Sequence, residues 1–221
     1  LINMPLLTGW AATEKYPSRF YEGVADEVWS GVTSVNYAGG TGSKNDPYII
    51  ETAEQLFKLV NDISTAGKFY KITKDIKLND TSVSDWKATA KQWVSTATFA
   101  GTLNGDGHTI SGLYYNGGES RVGLFRYAKD AEIKRIVLDN AYLYSTDYGT
   151  GAFVGMASSG TVKISECYAT ESVSVESTLA TGNDRGAGGF VGYGGGTVVI
   201  ENSGFTGSVK APGFAGAFAG N

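Results

Sequence analysis

The chain has one cysteine, one histidine and four prolines. A lone Cys167 excludes an internal disulfide and any cysteine-built metal cluster, and reads as a small buried hydrophobe. A Cys–His nucleophile would require Cys167 and His108, the only residues of their kinds, to meet in space. Scarce proline beside 31 glycines points to many tight corners, and away from collagen or low-complexity disorder. Charge is thin too, at 18% of residues, with a net −4. There is no positive surplus to attract nucleic acid or anionic lipid. No run of about 18 or more apolar residues occurs, so no membrane insertion is expected. The opening LINMPLLTGW lacks a basic n-region and a proper apolar h-region, and is not a signal peptide as it stands.

What the chain does have is repetition. GAFVG at 151–155 returns as GGFVG at 188–192 and as GAFAG at 216–220. With VGLF as the first marker, Phe125, Phe153, Phe190 and Phe218 stand 28, 37 and 28 residues apart. One local insertion, STLATGNDRG at 177–186, accounts for the long interval. A second signature follows the aromatic. ISECYATESVSV starts at Ile164 and IENSGFTGSVKA at Ile200, which sets Thr170 on Thr206, Ser172 on Ser208 and Val173 on Val209. IKRIVLDNAYLY, from Ile133, is a weaker third copy. A period of about 20–50 residues means stacked supersecondary units. The alternation V-S-V at 173–175 is that of a strand. The expectation is an all-β solenoid of parallel strands with coils about 4.8 Å apart, each Phe and Val stacking on its equivalents. The glycines are expected to turn the backbone with φ > 0 and to let coils approach closely.

The front end differs. Asp46-Pro47 signals a turn. Thr52 and Gln55 then fit a capping box. Ala53, Leu56, Phe57, Val60 and Ile63 recur at helical spacing, and Gly67 sits where a C′ residue is wanted. This predicts a helix over about 53–65, serving as the N-terminal cap that such arrays require. FYKITKDIKL at 69–78 reads as a strand, and FAGTLNGDGHTISGLYY at 99–115 as two strand pieces around NGDG. The opening 40 residues, with Trp10, Tyr16, Phe20, Tyr21 and Trp29, show no period and are expected to wrap along the solenoid.

DPYIIETAEQLFKLV, ITKDIKL, FAGTLNGDGHTISGLY, VGLF and GAFVG/GGFVG with ISECYATESV, in that order, resemble the GLUG-repeat proteins of bacterial surfaces and secretions. The likeness covers about residues 28–221. It implies a right-handed parallel β-helix of pectin-lyase-like shape and carries over no catalytic residue. The expected organisation is an irregular segment at 1–43, a capping helix with first strands at 44–98, and coils at 99–221. GAFAGN opens a coil that does not close, so the natural chain is expected to continue beyond 221.

Enzymatic β-helices set the standard for a catalytic reading. Glycoside hydrolysis needs two carboxylates about 5–9.5 Å apart. Here Asp75, Asp80, Asp85, Asp106, Asp130, Asp139 and Asp147 are scattered, and the coil position of Asp139 carries Thr170 and Thr206 in the other copies. His108 in GDGHT reads as a solvated residue leaving a tight turn, with Asp106 explained by turn preference. Calcium is a candidate ligand at Asn45/Asp46 or at Asp75/Asn79/Asp80, although hard cations want six to eight oxygens. Tyr142 and Tyr144 fall level with Val173 and Val175 when counted from Ile133, which points them inward unless a bulge shifts the phase. Trp86, Trp93, Tyr114 and Tyr115 lie in or beside loops, and are the candidate sugar-stacking platform.

These readings favour a non-enzymatic extracellular module of a bacterial cell-surface protein, a monomeric spacer or adhesive surface. The alternatives are a carbohydrate-binding module and, third, a polysaccharide lyase or hydrolase. A host or microbial surface glycan or protein is the expected partner.

Overall fold

A computed structural model describes residues 27–179 and 186–220. The fold is a parallel β-helix. Four parallel sheets surround one core, and the longest runs through six successive rungs. A representative coil starts on a long bent strand, Phe125–Lys134, and continues through Val137–Asp139, Tyr142–Ser145 and Thr150–Gly151. The chain then re-enters the first sheet one rung up, at Val154–Ser165.

The core consists of columns. Tyr48, Tyr70, Leu103, Ile133, Ile164 and Ile200 lie in register on consecutive rungs. Ile76, Ile110, Leu138, Ala169 and Phe205 form a second column, and Tyr115, Leu143, Val175 and Val209 a third. Such in-register stacking lets each rung bury the apolar face of the next.

The aromatic repeat is real but displaced by one residue at its start. Phe153 and Phe190 stack with centroids 4.9 Å apart and planes 9° apart, and Phe218 continues at 5.7 Å. Phe125, however, pairs with Val154, so Leu124 of VGLF occupies the rung below Phe153. Phe125 instead stacks on Phe99, at 4.5 Å.

The repeat glycines act through proximity alone. Gly151, Gly155, Gly188 and Gly192 are absent from the positive-φ positions. A Cβ on any of them would collide with backbone, for example 2.6 Å from the Thr150 nitrogen at Gly192. The left-handed corners are taken instead by Arg135, Glu166 and Asn202, with φ of 58°, 52° and 48°, each two residues beyond its column isoleucine.

The 37-residue interval has three sources. Ser145 to Thr150 spans five positions, but their rung partners Ser177 and Ala187 are ten apart. That corner, whose residues 180–185 lie outside the described ones, supplies five extra residues. Register shifts between Ala157 and Val162 supply two more. The turn before Ser174 supplies one, because Tyr168 pairs with Val137 whereas Ser174 pairs with Tyr142.

The helix runs Ala53–Val60, shorter than the expected span. Thr52 caps it by accepting the Gln55 N–H, and Gln55 Oε1 reaches back to the Glu51 N–H at 2.7 Å. It stops because a neighbouring segment docks across its end. Ser95 Oγ and the Ala97 N–H both donate to the Val60 carbonyl, while Asn61 donates to the Phe57 carbonyl. These bonds satisfy carbonyls that would otherwise be orphaned. Leu56, Leu59 and Val60 face the core, but Ile63 is 91% exposed and belongs to no stripe. Gly67, at φ +69°, serves the entry to the next rung strand, its N–H donating to the Ala100 carbonyl.

The expected single strand at 69–78 is two, Phe69–Ile72 and Ile76–Lys77, on different sheets. Of the opening aromatics, Trp10, Tyr16, Phe20 and Tyr21 lie outside the described residues. Trp29 is 3% exposed and packs against Phe57 and Trp93.

Candidate functional site

The sheet formed by Tyr114–Gly117, Tyr142–Ser145, Ser174–Ser177 and Ser208–Lys210 alternates strictly between core and exterior. Its inward positions are Tyr115, Leu143, Val175 and Val209. Its outward positions form two rows: Tyr114, Tyr142, Ser174 and Ser208, then Asn116, Tyr144, Glu176 and Lys210. Tyr142 and Tyr144 therefore face outward, against the expectation. The extra residue before Ser174 reverses the pleat relative to a count from Ile133, and a one-residue slip exchanges the two faces of a strand.

The outward row is aromatic at one end. The Tyr114 and Tyr142 rings stack at 5.9 Å and 22°. Trp86, on the short turn Trp86–Ala88, meets Tyr114 edge-on at 5.8 Å. The ammonium of Lys87 lies 4.6 Å from the Tyr142 ring centroid, within cation–π range. Burial first, and then the Glu176 carboxylate, raise the Tyr142 phenol above its ordinary pKa. The Tyr144 hydroxyl lies 3.5 Å from Thr178 Oγ1. Together Trp86, Lys87, Tyr142 and Tyr144 make a partly exposed strip. Aromatic faces alternate there with hydrogen-bonding groups, an arrangement suited to an extended ligand with both C–H faces and hydroxyls.

Only part of this strip matches the residues expected from sequence. Trp86 is half-buried at the surface, as a platform requires. Trp93 is 1% exposed, with Nε1 donating to the Leu124 carbonyl at 3.0 Å. It is a core residue, because its segment pairs with the next strand rather than looping away. The Trp93 N–H donates to the Tyr114 carbonyl, and the Gln92 amide exchanges two bonds with the Asn116 backbone. Tyr115 points inward, and its hydroxyl accepts the Glu119 N–H at 2.7 Å. Tyr114 faces out but is covered by Trp86 and Tyr142.

The polar candidates are engaged with one another. His108 is buried, not solvated: Nδ1 lies 3.0 Å from Asp75 Oδ1, which also accepts the Thr109 N–H at 2.9 Å. Burial alone would raise the Asp75 carboxyl; the bonds from His108 and Thr109 outweigh it and hold the carboxyl below its ordinary value. Asn79 donates to the Gly112 and Lys91 carbonyls and accepts the Lys91 N–H, and Asp80 accepts from Ser82. The Asp75/Asn79/Asp80 string thus does not converge on a calcium ion. Among the described residues no group of three or more His, Cys, Asp or Glu side chains could hold a metal. Asp139 Oδ1 accepts from Thr170 Oγ1 at 2.6 Å and Ser172 Oγ at 2.8 Å, tying the polar turns of two coils together. Cys167 is fully buried with its Sγ against the Ile133 and Ser165 carbonyls, and burial pushes its thiol up to about 12.

Two relatives match part of this chain in sequence. Halomucin of Haloquadratum walsbyi is 36% identical over 87 residues, 39% of this chain. A protein of Evansella cellulosilytica described as a Gly-rich membrane protein is 30% identical over 124 residues, 54% of this chain. The chain spans 1% and 14% of the lengths of those proteins. No family model and no solved structure matches it. Among the described residues no helix is long and apolar enough to cross a membrane.

Proposed function

We propose that this chain is a non-enzymatic, extracellular β-helical module of a long surface-displayed polypeptide, a stiff spacer that presents its outer faces to the surroundings. The observation that carries this reading is the unbroken six-residue column from Tyr48 to Ile200. Stability is spread along such a stack as nearest-neighbour interfaces, which suits a rod. The length of the two relatives, and the description of one as a membrane protein, agree with it. The GLUG-repeat resemblance points the same way. An antibody raised against the chain should label intact cells of the source organism, and surface proteolysis should remove the signal. Labelling that required lysis would refute the proposal.

The Trp86–Tyr114–Tyr142 row favours a second reading, in which the rod also binds a surface glycan along its outer strip. On a glycan array the chain should retain a discrete set of saccharides, and Trp86→Ala and Tyr142→Ala should each lose them. An array with no retained saccharide would leave the strip as surface packing.

A further inference from the structure

We propose that an open cleft at the capped end of the rod, bounded by Tyr37, Tyr48, Lys58, Asp62 and Lys68, binds an acidic sugar unit: a hydroxylated ring carrying one carboxylate. The cleft has a volume of about 320 Å³, at the small end of ligand sites. It lies where three separate pieces of chain meet. The arm leading to Gly39, bridged antiparallel to Ile49, brings Tyr37. The first rung brings Tyr48. The helix and the segment after it bring Lys58, Asp62 and Lys68.

Its walls have a definite chemistry. The Tyr37 and Tyr48 rings stack at 4.7 Å and 28°, and Tyr70 closes behind them. The Lys58 ammonium lies 5.3 Å from the Tyr37 centroid, and the Lys68 ammonium 5.9 Å from that of Tyr48. Neither ammonium has a carboxylate within 4.0 Å among the described residues. Among the described residues Lys68 Nζ donates only to Ser64 Oγ, at 3.3 Å. The cleft therefore holds two cations to one anion in a chain whose net charge is −4.

The anion selects among negative ligands. Asp62 Oδ1 accepts the Ser64 N–H at 2.8 Å and the Ser64 hydroxyl at 2.7 Å, which positions the carboxylate. Burial acts against its ionisation, but the Ser64 bonds and the charges of Lys68 and Lys58 outweigh burial and keep its pKa low. A fixed carboxylate repels a multiply charged phosphate and accepts from hydroxyls. Two ammoniums beside it take a single carboxylate through charge-assisted hydrogen bonds. A group with both features is a uronic-acid-like sugar. The cleft is separate from the strip at Trp86, so the proposal stands independently of glycan binding there.

Nuclear magnetic resonance of the full chain titrated with trigalacturonate tests it. The ring resonances of Tyr37 and Tyr48 should shift, and maltotriose and inorganic phosphate should leave both unmoved. Replacing both Lys58→Gln and Lys68→Gln should weaken trigalacturonate about tenfold or more, and Lys129→Gln, at an exposed lysine outside the cleft, should not. Unmoved Tyr37 and Tyr48 resonances at millimolar trigalacturonate would overturn the proposal. So would equal response to maltotriose or phosphate, or full affinity in a folded double variant.

Discussion

Replacing Gly192 with alanine isolates the physical role of the repeat glycines. Gly192 is not at a positive φ, so alanine costs nothing in backbone conformation there. The added Cβ would lie 2.6 Å from the Thr150 nitrogen and closer still to the Gly149 carbonyl, where real Cβ contacts stop near 3.0 Å. Backbone cannot rotate aside, so the rungs must separate. The bonds most exposed to that movement are those from the Phe153 and Val154 N–H groups to the Phe190 carbonyl, at 3.1 and 3.0 Å. Losing both costs about 2 kcal/mol, and disturbing the Phe153–Phe190 stack about 1 kcal/mol more. A loss of about 3 kcal/mol is a large share of the ~5–15 kcal/mol that holds a domain together. Gly67→Ala is the control. Gly67 has open space around it but φ +69°, so alanine there should cost about 1 kcal/mol of conformational strain. Urea unfolding followed by circular dichroism should shift the Gly192→Ala midpoint well below that of Gly67→Ala. If Gly192→Ala costs no more than Gly67→Ala, close approach between coils is not what the glycines provide.

Phe153→Ala should destabilise by about 3–5 kcal/mol in the same assay, as a large side chain removed from a closed core, whereas Phe218→Ala, at a side chain 49% exposed, should cost far less; equal effects would contradict the column. The Asp75 carboxyl is held below its ordinary value of 3.8, so its contribution is present above about pH 4 and is lost as pH falls through the native value. Asp75→Asn should accordingly flatten the acid limb of the stability curve, and an unchanged limb would show that the His108 contact carries no linkage. With its thiol raised to about 12, Cys167 should resist thiol reagents in native buffer at pH 8 and react on unfolding, and rapid native labelling would place it elsewhere.

What was legible in the sequence was whatever repeated without interruption. The column isoleucines Ile133, Ile164 and Ile200 were aligned correctly because no insertion separates them from their strands. The capping box at Thr52 and Gln55 was legible because it is local. Sequence and structure part where a single residue changes the phase. An aromatic marks every other copy and so points to Phe125 of VGLF, but the rung below Phe153 holds a leucine. An extra residue in the following coil, which no motif marks, puts Tyr142 and Tyr144 on the outward face. His108 and Trp93 depart from expectation for another reason. Their partners, Asp75 and the Leu124 carbonyl, lie more than thirty positions away in sequence, and no local pattern announces a contact between rungs. The cleft joins Lys58 to Tyr37 and Lys68 to Tyr48, pairs that follow neither the helical nor the strand period and so leave no mark in the sequence.

The corner joining Ser145 to Thr150, and Ser177 to Ala187 one coil on, absorbs most of the length difference between coils while every inward column keeps its register. Foreign peptide spliced in at that corner should leave the scaffold intact. A lineage of such rods could thus vary what each turn displays without ever redesigning the rod.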